Sequence, residues 1–247
     1  MHGVSRDAPP AGQAGIGRAH GRAVYRVQAL LDAAGPAPVG GDRSAHRAWP
    51  TAGFAAREAW QSATKDRLGA AVAAMVEPGS RVLLDAGTTT VHVAGHLAAR
   101  APLTVAVVSL QAAVRLADRP GIDLLVVGGR SRPGERSLVG PLTLRTLEAL
   151  AFDLFVMSIG GVHAEHGWSE FSLDDAAVKQ AGLAQSGRTL TVADATKLGV
   201  RAFSQVAPLD AVHSFVTDRA AADPATHPGG PRTLDALREA GVDTVLV

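Results

Sequence analysis

The residues from Asp85 to Thr90, Asp-Ala-Gly-Thr-Thr-Thr, have the composition of a small anion-binding loop. An apolar run ends at Asp85, Gly87 makes a turn, and three threonines open a predicted helix. The free N–H groups of a first helical turn and the helix dipole both attract an anion, and threonine hydroxyls add donors. Because the loop has no lysine, it differs from the P-loop of nucleoside-triphosphate sites. A single phosphate on a small molecule fits it better.

A purely structural role for this loop stays open. Thr88 could serve only as a helix N-cap, and Gly87 only as a turn residue. Three consecutive threonines are poor helix formers, which favours a second role for Thr88, Thr89 and Thr90.

Other predicted strands are also followed by polar groups. Asp175 and Lys179 are four residues apart on a predicted helix and share a face, although an ordinary solvated pair has the same spacing. Asp194 and Lys197 follow a later strand, where the aspartate could instead form an N-cap or an Asx turn. The remaining candidates at strand ends are Ser109, Gly128 and Gly129, with Arg130, Arg132 and Asp174 nearby.

The histidines are weaker candidates. His92 and His96 have the spacing of two metal ligands on one helix, but no carboxylate stands out to complete a site and the HExxH motif is absent. His163 and His166 fall in a predicted loop, where histidines are commonly solvated. No Gly-x-Ser-x-Gly elbow occurs, which argues against serine-hydrolase chemistry. We predict no metal and no cofactor.

The elements that position these residues alternate between strand and helix from Phe54 onward. The pattern predicts one helix over residues 57–76 and then strands in the runs RVLLD, LTVAVVS, IDLLVVG, FDLFVMSIG, RTLTVA, AVHSFVT and DTVLV, with helices between them. It indicates an α/β fold, a mostly parallel sheet with helices on both faces. Ligands of such sheets bind beyond the carboxyl ends of the strands. The loops after Leu84, Val108, Val127, Ile159 and Ala193 are therefore expected to meet at one crevice.

Composition narrows the class of protein. The 247 residues are 47% hydrophobic but only 4% aromatic, carry a net charge of +1 and include no cysteine. Disulfides and cysteine-bound zinc are thereby excluded, and no global charge attracts nucleic acid or anionic lipid. With no membrane-length apolar run and no signal-peptide pattern, we expect a cytoplasmic protein that does not enter the membrane.

From about Phe54 to Asp218 the sequence resembles the effector-sensing domain of DeoR-type bacterial transcriptional regulators. The blocks that carry the resemblance are, in order, FAAREAWQSATKDRLGAAVAAMVEPG, LLDAGTTT, VVGGRSRPGERSLVGPL, FDLFVMSIGGVHAEHGWSE, LDDAAVKQA, VADATKLGVRAF and APLDAVHSFVTD. The resemblance implies a sheet fold like that of ribose-phosphate isomerases and a site for a phosphorylated sugar or related metabolite. It also implies homo-oligomers and operator DNA as a partner. The family's threonine-rich loop, acidic–lysine helix and later Asp/Lys loop correspond to Asp85, Gly87, Thr88, Thr89, Thr90, Asp175, Lys179, Asp194 and Lys197.

The sequence departs from the family pattern inside the site. Val108 stands where the family usually has asparagine before Ser109, and Asp175 stands where it usually has glutamate. The segment SEFSL before the predicted helix is also unusual. These differences suggest an effector unlike those of well-known relatives.

A larger departure lies in residues 1–53, which we interpret as a truncated, partly disordered winged helix-turn-helix. One helix is predicted at 23–35, but only six residues separate Val39 from His46, too few for the two further helices of the motif. The six arginines here could still contact phosphates weakly. DNA binding by this chain alone is thus in doubt. A gel shift at physiological salt, with and without an intact relative, tests it.

The residues support two classes of function. The first is a regulator, expected to repress a carbohydrate-metabolism operon, whose residues 54–247 sense a phosphorylated sugar. The alternative is a phosphosugar isomerase, with Asp85, Asp175, Asp194, Lys179 and Lys197 as acid, base and electrophile. We expect a regulator rather than an enzyme.

Overall fold

The structure, a computed structural model, describes residues 53–247. The predicted N-terminal helix and the truncated helix-turn-helix lie outside these residues, and the boundary at residue 53 stays a prediction. None of the helices within 53–247 combines the length and the apolar character needed to cross a membrane.

The described residues form twelve strands and seven α-helices. The strands are β1 (Arg81–Leu84), β2 (Leu103–Val107), β3 (Ile122–Val126), β4 (Arg130–Ser131), β5 (Leu138–Val139), β6 (Phe152–Met157), β7 (Gly161–His163), β8 (Gly167–Glu170), β9 (Ser186–Val192), β10 (Ser204–Ala207), β11 (Ser214–Thr217) and β12 (Asp243–Leu246). The helices are α1 (Phe54–Ala59), α2 (Ser62–Ala74), α3 (Thr88–Leu97), α4 (Leu110–Leu116), α5 (Pro141–Glu148), α6 (Leu173–Ala184) and α7 (Gly230–Glu239).

Seven strands make one parallel sheet, in the spatial order β12-β11-β9-β6-β1-β2-β3. Their short apolar runs suit strands that are covered on both faces. One face packs on α2, α3 and α4, through residues such as Leu68, Val93 and Leu116. The other packs on α5, α6 and α7, through residues such as Leu147 and Leu237. The predicted α/β fold with helices on both faces is confirmed.

The strand order reverses direction between β1 and β6. From β1 the chain moves outward to β2 and β3, and it then returns to place β6 on the other side of β1. Loops that leave the carboxyl ends of such neighbours diverge and open a crevice. Asp85 follows β1 and Ser158 follows β6, so both residues lie at this point.

A second, antiparallel sheet of three strands, β10-β8-β7, was not predicted. Its strands have three or four residues and include glycines, and the predicted loop around His163 and His166 is in fact the hairpin between β7 and β8. Short strands of this kind give almost no periodic signal. Trp168 in β8 is fully buried, so the small sheet contributes to the core of the domain.

The single helix predicted over residues 57–76 was wrong, because the chain breaks at Trp60 and Gln61. Gln61 takes left-handed dihedrals, φ 53° and ψ 34°, and α2 starts at the next residue. Lys65, in the first turn of α2, stabilises this break, because its Nζ donates to the carbonyls of Arg57 and Trp60. A side chain that binds carbonyls at a helix end stabilises that end.

Candidate functional site

A buried ion pair joins three elements at the crevice. The Lys179 Nζ on α6 lies 2.9 Å from the Asp85 Oδ2 after β1 and 3.3 Å from the Glu170 Oε2 at the end of β8. Asp85 and Lys179 are 1% and 2% exposed. Burial alone lowers the pKa of Lys179, but the two carboxylates outweigh it and raise that pKa above its usual value. The lysine is therefore a permanent cation that neutralises Asp85.

Ser158 completes the surroundings of Asp85. Its N–H and its Oγ–H donate to the Asp85 Oδ2 at 3.0 and 2.9 Å, and the hydroxyl also lies 2.8 Å from the Ala86 carbonyl oxygen. A Cβ at Gly87 would come within 2.7 Å of the Ser158 Oγ. Glycine is thus required at this turn because β6 approaches it so closely.

The threonine turn is the amino end of α3. Gly87 occupies the N-cap position without a side-chain cap, and the first helical hydrogen bond runs from the Val91 N–H to the Gly87 carbonyl. Helix geometry leaves the amides of Thr88, Thr89 and Thr90 without intrahelical acceptors. The reading of Thr88 as the N-cap residue was therefore wrong by one position.

The three threonine hydroxyls are in different situations. The Thr90 Oγ1 donates to the Gly87 carbonyl at 3.0 Å, and its side chain is fully buried. The hydroxyls of Thr88 and Thr89 make no hydrogen bond with residues 53–247, although both side chains are less than a tenth exposed. As far as the described residues go, two hydroxyl groups and several amides at one end of α3 therefore have no bonded partner.

Asp175 and Lys179 do not pair with one another, and the solvated helix pair is ruled out. Lys179 points to Asp85, as described above. The Asp175 carboxylate accepts from the Ser137 Oγ at 3.0 Å and forms an ion pair with Arg132. Asp174, its exposed neighbour, pairs with Arg130. The loop after β4 and the start of α6 are thus tied together by charge.

Asp194 and Lys197 border a 3-10 turn after β9. The buried Asp194 accepts from the Thr196 N–H at 3.1 Å, and also from the Thr196 hydroxyl, in the Asx geometry that its position allowed. Burial lowers the pKa of Lys197, as does the nearby Arg57, while Asp194 and Glu170 act to raise it. Lys197 therefore lies within electrostatic range of the Lys179–Glu170 pair.

Ser109, Gly128 and Gly129 have clear structural roles. The Ser109 Oγ caps α4 by accepting from the Ala112 N–H at 3.3 Å. Gly128 and Gly129 both have positive φ, and a Cβ at Gly129 would fall 1.9 Å from the Thr143 Oγ1. These glycines let α5 begin directly beside the end of β3. Their predicted contact with an effector stays a prediction.

Lys65, which was not predicted as a site residue, lies within electrostatic range of Asp194 and Lys197. It is 1% exposed, and its Nζ is bonded to backbone carbonyls. Its pKa is lowered to about 8, chiefly by burial; Lys197 and Arg57 act in the same direction, and Asp194 acts against it. One signal was available, since only three of the chain's 24 lysines and arginines are lysines. Lys179 pairs with Asp85, and Lys65 and Lys197 lie within electrostatic range of each other and of Asp194.

The low pKa of Lys65 predicts a pH-dependent stability. Between pH 8 and 10.5 the unfolded chain keeps a proton that folded Lys65 has released, so this residue makes stability rise with pH. Relative to a Lys65→Met variant, the free energy of unfolding of the wild type should gain up to about 3 kcal/mol across that window. Urea unfolding of both proteins at several pH values measures the difference. Parallel curves would show that Lys65 is charged in the folded state throughout.

His92 and His96 lie beside a carboxylate, that of Asp66. The Asp66 Oδ1 lies 3.0 Å from the His96 Nε2 and 3.6 Å from the His92 Nδ1, so the expectation that no carboxylate accompanies these histidines was wrong. Only the His96 contact is a hydrogen bond, and the His92 contact at 3.6 Å is an ion-pair distance.

A second cluster, His163, Glu165 and His166, has donor atoms within 4.8 Å of one another. Each of these donors already serves a partner in the chain. The His163 Nδ1 accepts from the Glu165 N–H, the Glu165 carboxylate pairs with Arg232, and the His166 Nε2 faces Arg201. A metal ion would have to displace these bonds beside two arginines, so we do not assign a metal site here.

Comparison with known proteins adds to this geometry. Residues 60–219 match the family described as the DeoR C terminal sensor domain. The chain is 32% identical over 158 residues to the HTH-type transcriptional repressor GlcR of Bacillus subtilis, covering 64% of this chain and 60% of that protein. It is 26% identical over 162 residues to the glycerol-3-phosphate regulon repressor of Escherichia coli, covering 66% and 64%.

The chain thus spans about three fifths of the length of these relatives. Among solved structures, ribose 5-phosphate isomerase A of Methanocaldococcus jannaschii aligns with a TM-score of 0.41 at 14% identity, covering 56% of this chain and 54% of that one.

Proposed function

Since this chain belongs to the family of DeoR C-terminal sensor domains, we propose that residues 54–247 bind a phosphorylated sugar or related metabolite and thereby regulate transcription. The proposed regulator represses a carbohydrate-metabolism operon, with operator DNA as its macromolecular partner and a homo-oligomer as its working form. The names of the relatives, which are repressors, support this role.

The observation that carries the proposal is the open amino end of α3. Amides without intrahelical acceptors lie at the point where the strand order reverses, together with the hydroxyls of Thr88 and Thr89, which bond to no other residue within 53–247. This arrangement favours an anion at this position. Lys179 neutralises the adjacent Asp85, so the carboxylate does not repel a bound phosphate. Asp175, Asp194 and Lys197 line the neighbouring loops and supply polar groups for the rest of the metabolite.

The same contacts favour sensing over catalysis. An aldose–ketose isomerase needs a carboxylate or other base that is free to take a proton from the substrate. The Asp85 Oδ2 already receives the Ser158 N–H, the Ser158 hydroxyl and the Lys179 ammonium. Asp194 is likewise used by Thr196. We therefore propose no reaction at this site.

A thermal-shift panel tests the proposal. Ribose 5-phosphate, glucose 6-phosphate and glycerol 3-phosphate are each compared with the unphosphorylated compound and with inorganic phosphate. At 100 times its dissociation constant a true effector stabilises the fold by about 2.7 kcal/mol, a rise in Tm of several degrees. Mass spectrometry of metabolites retained on the purified protein extends the panel. Absence of any shift and of any retained phosphorylated compound would refute the sensing function, and conversion of ribose 5-phosphate to a ketose would refute the non-enzymatic reading.

A further inference from the structure

We propose that Arg57 contacts the acidic group of the bound effector, and that Lys65 is a positioning residue that holds helix α1 in place for this contact. Helix α1 would then change its position when the site is occupied. This inference rests on the proposed sensing function and extends it from ligand binding to regulation.

Arg57 carries a donor that has no partner among residues 53–247. Its guanidinium pairs with Glu135 through one terminal nitrogen. Its Nε is buried, yet it makes no hydrogen bond with the described part of the chain. Leaving a buried donor unsatisfied costs free energy, about 1–3 kcal/mol and more for a charged group. A buried charged donor of this kind suggests that an acceptor is added when a ligand binds.

The position of Arg57 is suited to such a ligand. Its charge lowers the pKa of both Lys65 and Lys197, so the three cations lie within electrostatic range of one another. The carboxylate of Asp194 lies among them and opposes these shifts. Nearby glutamates act in the same sense and balance part of this charge, and a phosphorylated effector would add further negative charge beside the three cations.

Lys65 fixes α1 to the rest of the domain. Its Nζ donates to the carbonyls of Arg57 and Trp60, which lie at the end of α1 just before the chain breaks at Gln61. The amino group comes from the first turns of α2, and so it closes the corner between the two helices. Any shift of Lys65 toward or away from the site therefore moves the end of α1.

Glu135 supplies the alternative partner for Arg57. It lies on the loop whose Arg132 pairs with Asp175, and the Gln111 side chain donates to the Glu135 carbonyl oxygen at 3.3 Å. The carboxylate of Glu135 and an effector phosphate therefore compete for one guanidinium. Binding of the effector would draw Arg57, and α1 with it, away from Glu135.

The test measures affinity and backbone protection in the full chain. The probe is the panel sugar phosphate that gives the largest thermal shift, titrated calorimetrically into the wild type, Arg57→Met, Glu135→Gln and the control Arg67→Met. Arg67 lies on α2, is exposed and bonds only to Thr64 among the described residues. We expect Arg57→Met to weaken binding at least tenfold, Arg67→Met to leave it unchanged, and Glu135→Gln to strengthen it severalfold by removing the competitor.

Hydrogen–deuterium exchange supplies the second readout. Saturating probe should change the exchange of amides 54–61 in the wild type but not in Arg57→Met. The inference is overturned if Arg57→Met binds like the wild type, or if Glu135→Gln weakens binding, as a merely structural ion pair would. Binding that is lost in Thr88→Val/Thr89→Val but kept in Arg57→Met would overturn this inference alone. A wild type that binds no probe would overturn the proposed function as well.

Discussion

Replacing Lys179 with methionine is expected to lower the free energy of unfolding by about 3–5 kcal/mol, because it leaves the buried Asp85 carboxylate without its cation. Ser158 would still donate two hydrogen bonds to that carboxylate, but neutral donors do not replace a full charge. Glu170 also loses its partner, although it is partly exposed and can be hydrated. Urea unfolding at pH 7 gives the value.

Two further variants test whether the loss of stability in Lys179→Met comes from an unpaired buried charge. Adding Asp85→Asn to Lys179→Met removes that charge, so the double variant should be more stable than Lys179→Met alone. Arg238→Met breaks an exposed pair with Asp235 and should cost less than about 1 kcal/mol. If Lys179→Met unfolds within 1 kcal/mol of the wild type, the pair is not the electrostatic centre of the site.

The second large effect concerns binding. Replacing both Thr88 and Thr89 with valine should weaken the effector by about 100-fold or more, since a hydrogen bond to a charged group contributes roughly 1.5–3 kcal/mol. Valine has the shape of threonine, and neither hydroxyl bonds to another described residue, so the fold should be preserved. The amides of the same turn remain, and residual binding is therefore expected. Isothermal titration with the metabolite identified by the panel measures the loss.

The matched control for that double variant is Thr104→Val. Thr104 lies in β2, near the end of the sheet opposite to the crevice, and its side chain is exposed. Its replacement removes one hydroxyl without touching α3, so affinity should not change. An equal loss in Thr104→Val would point to a general effect of the substitutions on the protein.

Much of the site was predictable because it depends on strand ends. The alternation of strands and helices predicts that Asp85, Lys179 and Asp194 lie at one edge of the sheet. In the structure the Lys179 Nζ lies 2.9 Å from the Asp85 Oδ2. The resemblance to the sensor family implied the same three residues, and the match over residues 60–219 confirms membership of that family.

The remaining parts of the site depend on contacts that a linear pattern does not contain. Nothing in the sequence distinguishes Ser158 from other serines that follow strands. It becomes the partner of Asp85 only because β6 returns to lie beside β1. Glu170 ends a strand too short to be recognised. Lys65 was expected inside one continuous helix, and the left-handed break at Gln61, which brings its Nζ to the carbonyls of Arg57 and Trp60, leaves no signal in the sequence pattern.

Backbone amide chemical shifts test most directly whether a phosphoryl group binds at the amino end of α3. A titration of the ¹⁵N-labelled protein with the effector, and in parallel with its unphosphorylated form, follows residues 87–90. We expect the amides of Gly87, Thr88, Thr89 and Thr90 to shift strongly with the phosphorylated compound and little with the other. Saturating binding that leaves these four amides unmoved would contradict the assignment of the site.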